Sequence, residues 1–324
     1  MFDSPATLAQ QESNQFLQDV WQGLSSKQKY LESKYFYDEN GDVIFQKIMD
    51  CSDYYLTRCE MDILKNKTAE LAFPITAPGT PFDLIELGAG DASKTYFLLK
   101  HLLKSNADFV YKPIDISGHI LDVLEDNLSQ QLPNLKVAPC EGDYFQALDR
   151  ICQTSNRRKI VLFLGSNIGN MQLDESESFC QQMAHHLNPG DFAIVGFDLK
   201  KNPKTILKAY DDDEGVTSEF NLNLLHRINR DLDGNFDLKQ FEHYQNYDPL
   251  TGACRSFLVS LTEQTVTIAG RDFYFAKDEA IYMEVSQKYS PEDIDELAER
   301  SGFKTVSHCY DHKKWYMDAI WKVI

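Results

Sequence analysis

Residues 82–95 read FDLIELGAGDASKT, and this stretch decides the fold class. Phe82 to Leu87 is a short apolar run of strand length, closed by Gly88-Ala89-Gly90. A helix follows, with Tyr96, Leu98, Leu99, Leu102 and Leu103 at helical spacing. Glycines at such a strand-to-helix turn let the backbone approach a ligand at the carboxyl end of the strand. A tight turn that binds nothing would also explain a lone GxG. The third glycine of a dinucleotide fingerprint is missing, because Ser93 stands there.

Outward from this turn, the same alternation repeats. Strands are expected at Phe109–Ile116, Leu135–Pro139, Ile160–Leu164 and Phe192–Phe197. Helices are expected at about Ile120–Gln130 and Asp174–Leu187. Ile160–Leu164 (IVLFL) is wholly apolar, as a strand covered on both faces should be. Strands alternating with helices at this spacing predict an α/β fold with a doubly wound parallel sheet. After Lys200 the pattern stops. Residues 201–247 read as polar and mostly helical or irregular, with antiparallel strands at Phe257–Leu261, Thr265–Ala269 and Asp272–Phe275. Ser290-Pro291-Glu292-Asp293 opens a helix, with serine as N-cap, proline at the first position and an acid at the third. Strands at about Lys304–Tyr310 and Trp315–Val323 close the chain. Upstream, a helix over Asn14–Leu24, a turn at Glu39-Asn40-Gly41 and a helix over about Asp42–Met49 precede the sheet. Residues 62–200 plus 288–324 are therefore expected to form the sheet domain, and 1–61 plus 201–287 a second lobe.

Acids recur after successive strands. Asp115 ends the second, where a carboxylate can accept hydrogen bonds from a ribose diol. Asp143 and Tyr144 follow the third, where an acid and an aromatic ring can hold an adenine amino group and its face. Singly, each acid also reads as a turn or cap residue. As a graded set they point to a nucleoside, and the ExGxG order (Glu86, Gly88, Gly90) favours S-adenosylmethionine (SAM) over a nicotinamide dinucleotide.

Bulk properties narrow the field. A net charge of −18 over 324 residues argues against nucleic acid as a partner. No apolar run approaches the roughly 20 residues of a membrane span. Met1–Gln11 carries no secretory pattern, so a cytoplasmic location and no membrane partner are expected. Seven cysteines, an odd number without a CxxC pair, read as free thiols in a reducing compartment. His185 and His186 are adjacent on a helix and point in different directions, and no metal is expected.

Six ordered stretches then become specific: KYFYDENGDVIFQKI (34–48) with SDYYLTRCE (52–60), ELGAGDASKT (86–95), FLGSNIGN (163–170), KAYDD (208–212) and MEVSQKY (283–289). Over nearly its full length the chain resembles the SAM-dependent histidine Nα-methyltransferases of ergothioneine biosynthesis. The resemblance implies a class I SAM-dependent methyltransferase fold, Rossmann-like, with a second α+β substrate-binding lobe. It implies Gly88, Lys94, Asp115, Asp143 and Tyr144 as SAM contacts. It implies Asn170 and Tyr210 on the substrate carboxylate, Tyr54, Glu284 and Ser286 on the imidazole, and Tyr37 as the catalytic group beside the reacting amine. The implied partner is a small amino acid and the implied product is Nα,Nα,Nα-trimethylhistidine; a monomer is expected.

Each of these residues has a plainer role open to it. Tyr37 and Tyr54 lie in aromatic-rich segments and would also simply pack, Asn170 would cap a turn, Glu284 would face solvent, and Asp211–Glu214 reads as a solvated acidic surface. Bulky Phe257, expected on a strand facing the imidazole, leaves room for a different amino acid or amine, an indole for example. A non-catalytic SAM-binding module stays open, and so does a nicotinamide-dependent oxidoreductase, which the missing third glycine disfavours.

Overall fold

The computed structural model describes the backbone of residues 5–324 and side chains from residue 14 onwards. In chain order, helix α1 (Pro5–Ser25), α2 (Glu39–Asp50), α3 (Leu56–Asn66) and α4 (Thr68–Thr76) precede β1 (Phe82–Leu87). The alternating region follows as α5 (Tyr96–Lys104), β2 (Phe109–Asp115), α6 (Gly118–Gln131), β3 (Cys140–Glu141), α7 (Tyr144–Thr154), β4 (Arg158–Phe163), α8 (Leu173–His186) and β5 (Phe192–Asp198). Then come α9 (Pro203–Tyr210), α10 (Val216–Asp231), β6 (Phe241–Tyr247), β7 (Ala253–Ser260), β8 (Gln264–Ile268), β9 (Arg271–Phe275) and β10 (Ala280–Gln287). Helix α11 (Pro291–Arg300), β11 (Phe303–Tyr310) and β12 (Tyr316–Val323) end the chain.

The described chain divides into two compact units, Leu56–Lys200 with Gln287–Ile324 and Met1–Tyr55 with Lys201–Ser286. The first boundary falls at Tyr55, earlier than the residue 61 expected from sequence, because α3 packs on β12 and belongs to the sheet unit.

In the sheet unit the seven strands run β11-β12-β5-β4-β1-β2-β3. Strands β1 to β5 are parallel, and β12 is antiparallel to both β5 and β11. This is the class I methyltransferase arrangement that the resemblance implied. Every residue of β1 and of β5 is buried, which is why both read as near-continuous apolar runs. The chain winds outward from β1 in both directions, so the strand order reverses between β1 and β4, and ligands of open α/β sheets bind beyond the carboxyl ends at that point. Trp321, Phe197, Phe303 and Phe163 anchor the core on one face of this sheet.

The other unit has its own core, in which Val20, Ile44, Phe220, Leu224, Leu258, Phe275, Ile281 and Met283 bring α1, α2 and α10 onto its strands. Its sheets are β10-β7-β6 and the hairpin β8-β9.

Several expectations need correction. The third strand is not Leu135–Pro139: only Cys140–Glu141 pairs as a strand, and Lys136 and Ala138 merely bracket Tyr111 by backbone hydrogen bonds. Pro113 of β2 has no N–H to donate to the Ala138 carbonyl, so the ladder is interrupted there. Residues 241–247 form β6 rather than irregular chain, an edge strand whose half-exposed polar residues hid it. Glu39-Asn40-Gly41 is not a free turn but the first turn of α2, capped by Asp38, whose carboxylate accepts the Gly41 N–H at 2.8 Å. Asp212 is not part of a solvated acidic patch. It is buried, and its two oxygens accept the Val216 and Thr217 N–H groups at the start of α10. Ser290 and Asp293 do form the reciprocal capping box. The seven cysteines are unbridged. Among the described residues, no helix is long and apolar enough to cross a membrane.

Candidate functional site

In the sheet unit the five residues implied for SAM lie on the segments that leave β1, β2 and β3. Gly88 adopts φ +71°, and a Cβ there would stand 2.6 Å from the Tyr144 hydroxyl. Only glycine relieves both constraints. The turn is tied to the sheet by the Gly88 N–H, which donates to the Ile114 carbonyl at 2.9 Å. Asp115 ends β2 and accepts the Ser117 N–H at 3.1 Å. Asp143 caps α7, one oxygen accepting the Phe145 and Gln146 N–H groups. The cap reading of Asp143 is thus realised. Burial, and then the carboxylates of Asp115 and Asp143, hold the Tyr144 phenol above its usual pKa. Lys94 pairs with Glu60. Burial alone would lower the Lys94 pKa, but the Glu60 carboxylate outweighs it and keeps the ammonium charged.

The donor set matches the groups SAM presents. Asp115 and Asp143 offer carboxylates for ribose hydroxyls and an exocyclic amine. Tyr144 offers a ring face, Lys94 a cation for a carboxylate, and Gly88 a bare backbone. Glu86, the acid of the ExGxG order, plays a different part. It is buried and accepts the Thr95 hydroxyl at 2.6 Å and the Tyr111 hydroxyl, so it closes the 88–95 turn from below. Asn170 also belongs to this unit. It ends the 3-10 turn Asn167–Asn170 after β4 and is exposed.

In the other unit Tyr37, Tyr54, Tyr210, Glu284 and Ser286 converge. The Tyr210 hydroxyl meets the Ser286 hydroxyl at 2.8 Å. The Tyr210 ring stands edge-on to Tyr54 at 6.0 Å, Tyr54 meets Phe45 at 6.5 Å, and Phe45 meets Tyr37 at 5.5 Å. Phe220 closes the cluster, 5.6 Å from Tyr37. Tyr37 is 45% exposed as a whole residue, yet its phenol pKa is raised, first by desolvation and then by the negative charges of Glu284 and Asp42. The hydroxyl end is therefore the desolvated part, within the electrostatic reach of Glu284 and Asp42. Glu284 is half-buried, alternating along β10 with buried Met283 and Val285. Phe257 does not enter this cluster through any ring contact. It is half-buried on β7, 5.8 Å from Tyr282 and 6.3 Å from Tyr244.

Sequence reasoning missed Phe45 and Phe220 as walls of the aromatic cluster, and Asp38 as its anchor. The Asp38 carboxylate accepts Asn223 and Arg230 of α10 at 2.9 Å each, which fixes the segment that carries Tyr37. Phe45 and Asp38 lie inside the KYFYDENGDVIFQKI block and were within reach; Phe220 had no local signal.

A family model described as histidine-specific methyltransferase, SAM-dependent, matches residues 16–323. The chain belongs to that family. A histidine N-alpha-methyltransferase of Mycolicibacterium smegmatis is 35% identical over 284 residues, covering 87% of each chain. One from Mycobacterium tuberculosis is 30% identical over 93% of this chain and 90% of its own. Among solved structures, a magnesium protoporphyrin IX methyltransferase of Synechocystis PCC 6803 with bound SAH is similar over 90% of this chain and 98% of that one, at TM-score 0.46 and 11% identity. This member of the histidine-specific family is a SAM-dependent N-methyltransferase acting on a small molecule.

Proposed function

We propose that this methyltransferase transfers three methyl groups in succession to the α-amino nitrogen of L-histidine, giving Nα,Nα,Nα-trimethylhistidine. The observation that carries the reading is the convergence of Tyr37, Tyr54, Tyr210, Glu284 and Ser286, a polar and aromatic set suited to a zwitterion bearing an imidazole. In this reading Gly88, Lys94, Asp115, Asp143 and Tyr144 hold SAM, which when bound supplies an electrophilic methyl group on a sulfonium. Tyr210 and Asn170 hold the substrate carboxylate. Glu284 and Ser286 read the imidazole N–H, and Tyr54 helps fix the ring. A half-buried acceptor that an analogue lacking that N–H cannot satisfy discriminates against it.

The amine must be neutral to react. Tyr37, kept as a neutral phenol by its surroundings, orients the nitrogen through its hydroxyl and relays a proton outward. Alignment of the two reactants is the main contribution the protein makes. The reading also carries action by a monomer, without nucleic acid, in the cytoplasm; the net charge of −18 supports the exclusion of nucleic acid. Incubation with SAM and a panel of amino acids, read by mass spectrometry, tests it. Mono-, di- and trimethylhistidine should accumulate in turn, and a preference for tryptophan or another amine over histidine would reject the substrate assignment.

A further inference from the structure

The block SDYYLTRCE ends on Glu60, which has no place in the cofactor set or the substrate set. Helix α3 carries it into the sheet unit, where it is 1% exposed. One oxygen, Oε2, pairs with the Lys94 ammonium. The other, Oε1, accepts the Gly165 N–H at 2.6 Å and the Tyr316 hydroxyl at 2.8 Å. Gly196 in β5 makes room for this meeting. A Cβ there would lie 2.8 Å from Glu60 Oε1 and 2.5 Å from the Tyr316 hydroxyl.

The two partners of Glu60 sit on different loops. Lys94 is on the segment that leaves β1, and Gly165 opens the loop that leaves β4. These strands are neighbours at the reversal of strand order. Gly165 at φ +82° and Ser166 at φ +59° form a sharp turn, and the 3-10 turn that follows ends at Asn170. A buried carboxylate therefore ties the cofactor-side loop to the loop that ends at Asn170. Among the described residues Lys94 is the one cation paired with it, and burial with the neighbouring Glu60 carboxylate holds nearby Asp318 well above the ordinary carboxylate range, Lys94 offsetting this only in part.

We propose that Glu60 is a positioning residue of the methyltransferase, orienting Lys94 towards the cofactor through Oε2 and the 164–170 loop through Oε1. The proposal rests on the reading of Lys94 as a SAM contact and of Asn170 as a substrate contact. Gln at this position keeps an acceptor for Gly165 and Tyr316 but loses the pair with Lys94. Ala loses both arms.

The test uses the full chain, with SAM affinity by calorimetry, histidine KM at saturating SAM, and thermal stability as a control. Glu60→Gln is expected to weaken SAM binding at least fivefold while histidine KM stays within about twofold. Glu60→Ala is expected to impair both. In a Lys94→Gln background, Glu60→Gln should change SAM affinity by less than twofold, since both substitutions remove one arm. A purely structural role would lower the melting temperature and multiply with Lys94→Gln instead. Wild-type SAM affinity in Glu60→Gln, with Lys94→Gln impaired, overturns the positioning role and leaves the reading of Lys94 intact. Wild-type affinity in Lys94→Gln overturns that reading itself. Should Glu60→Gln fail to fold, Glu60→Asp, which keeps the charge and shortens the reach, takes its place. The same loss of SAM affinity is expected, and its absence overturns the proposal.

Discussion

The Tyr210 hydroxyl and the Ser286 hydroxyl lie 2.8 Å apart, with 8% and 7% of their residues exposed. They join the end of α9 to β10, so two segments far apart in the chain present one polar edge. Removing either hydroxyl leaves the other without this partner, a loss of about 1–3 kcal/mol. Tyr210→Phe and Ser286→Ala are each expected to raise histidine KM by about 5- to 100-fold with SAM affinity unchanged. Equal losses in SAM binding, measured by calorimetry, would contradict a substrate-side role.

Tyr37 should govern turnover rather than affinity. Its phenol pKa is raised by desolvation and by Glu284 and Asp42, so the group stays protonated through the alkaline range used for assays. The rate is expected to rise with pH as the substrate ammonium loses its proton, with no falling limb below about pH 10 from tyrosine ionisation. Tyr37→Phe is expected to lower kcat by about 100-fold. A falling limb near pH 8 that disappears in Tyr37→Phe would show instead that Tyr37 ionises during turnover.

Glu284 should decide which ring is accepted. Glu284→Gln keeps the shape but weakens the acceptor, and Glu284→Ala removes it. Histidine kcat/KM is expected to fall by about 10- to 100-fold in the Gln variant and further in Ala, with SAM affinity held. Retention of wild-type turnover with histidine in Glu284→Ala removes this residue from the pocket.

Asp115 should act on the cofactor. Asp115→Ala is expected to weaken SAM binding by about tenfold, a loss of roughly 1.4 kcal/mol. The side chain also accepts the Ser117 N–H, so Asp115→Asn, which keeps an acceptor for that turn, separates cofactor binding from turn stability. Undiminished SAM affinity in both variants rules out a ribose contact.

Glu86 should leave a mark on stability. Burial pushes its carboxyl pKa up to about 7 in the folded chain, against hydrogen bonds from Thr95 and Tyr111 that pull it down. An unfolded glutamate titrates at about 4.5, so between the two values the folded state binds more proton, and its contribution to stability is lost as pH rises from about 4.5 to 7. Asp318 shifts in the same direction, so the comparison must isolate Glu86. Urea denaturation at pH 5, 6, 7 and 8 should show a decline that is flatter in Glu86→Gln. Parallel curves for the two proteins would mean that Glu86 does not titrate in this window.

Some of this molecule was legible in the order of its residues. The apolar runs of β1, β4 and β5 announce covered strands, the 82–95 stretch announces a ligand turn, and Ser290 to Asp293 announces a capped helix. These features depend on neighbours within a few positions, where periodicity, glycine freedom and capping act, so one chain segment is enough to read them. Edge strands such as β3 and β6 were harder, because strands with half-exposed polar residues lack the apolar pattern.

Only the tertiary structure decided what the polar residues do. Nothing local distinguishes Asp212, a buried cap, from Asp213, an exposed acid beside it. Glu60 looks like one more helical glutamate until α3 brings it against Lys94 and Gly165, and Phe220 becomes a wall of the aromatic cluster only because α10 packs on α2. A carboxylate takes its role from the donors and the burial around it, and those donors come from segments that meet only when the chain has folded.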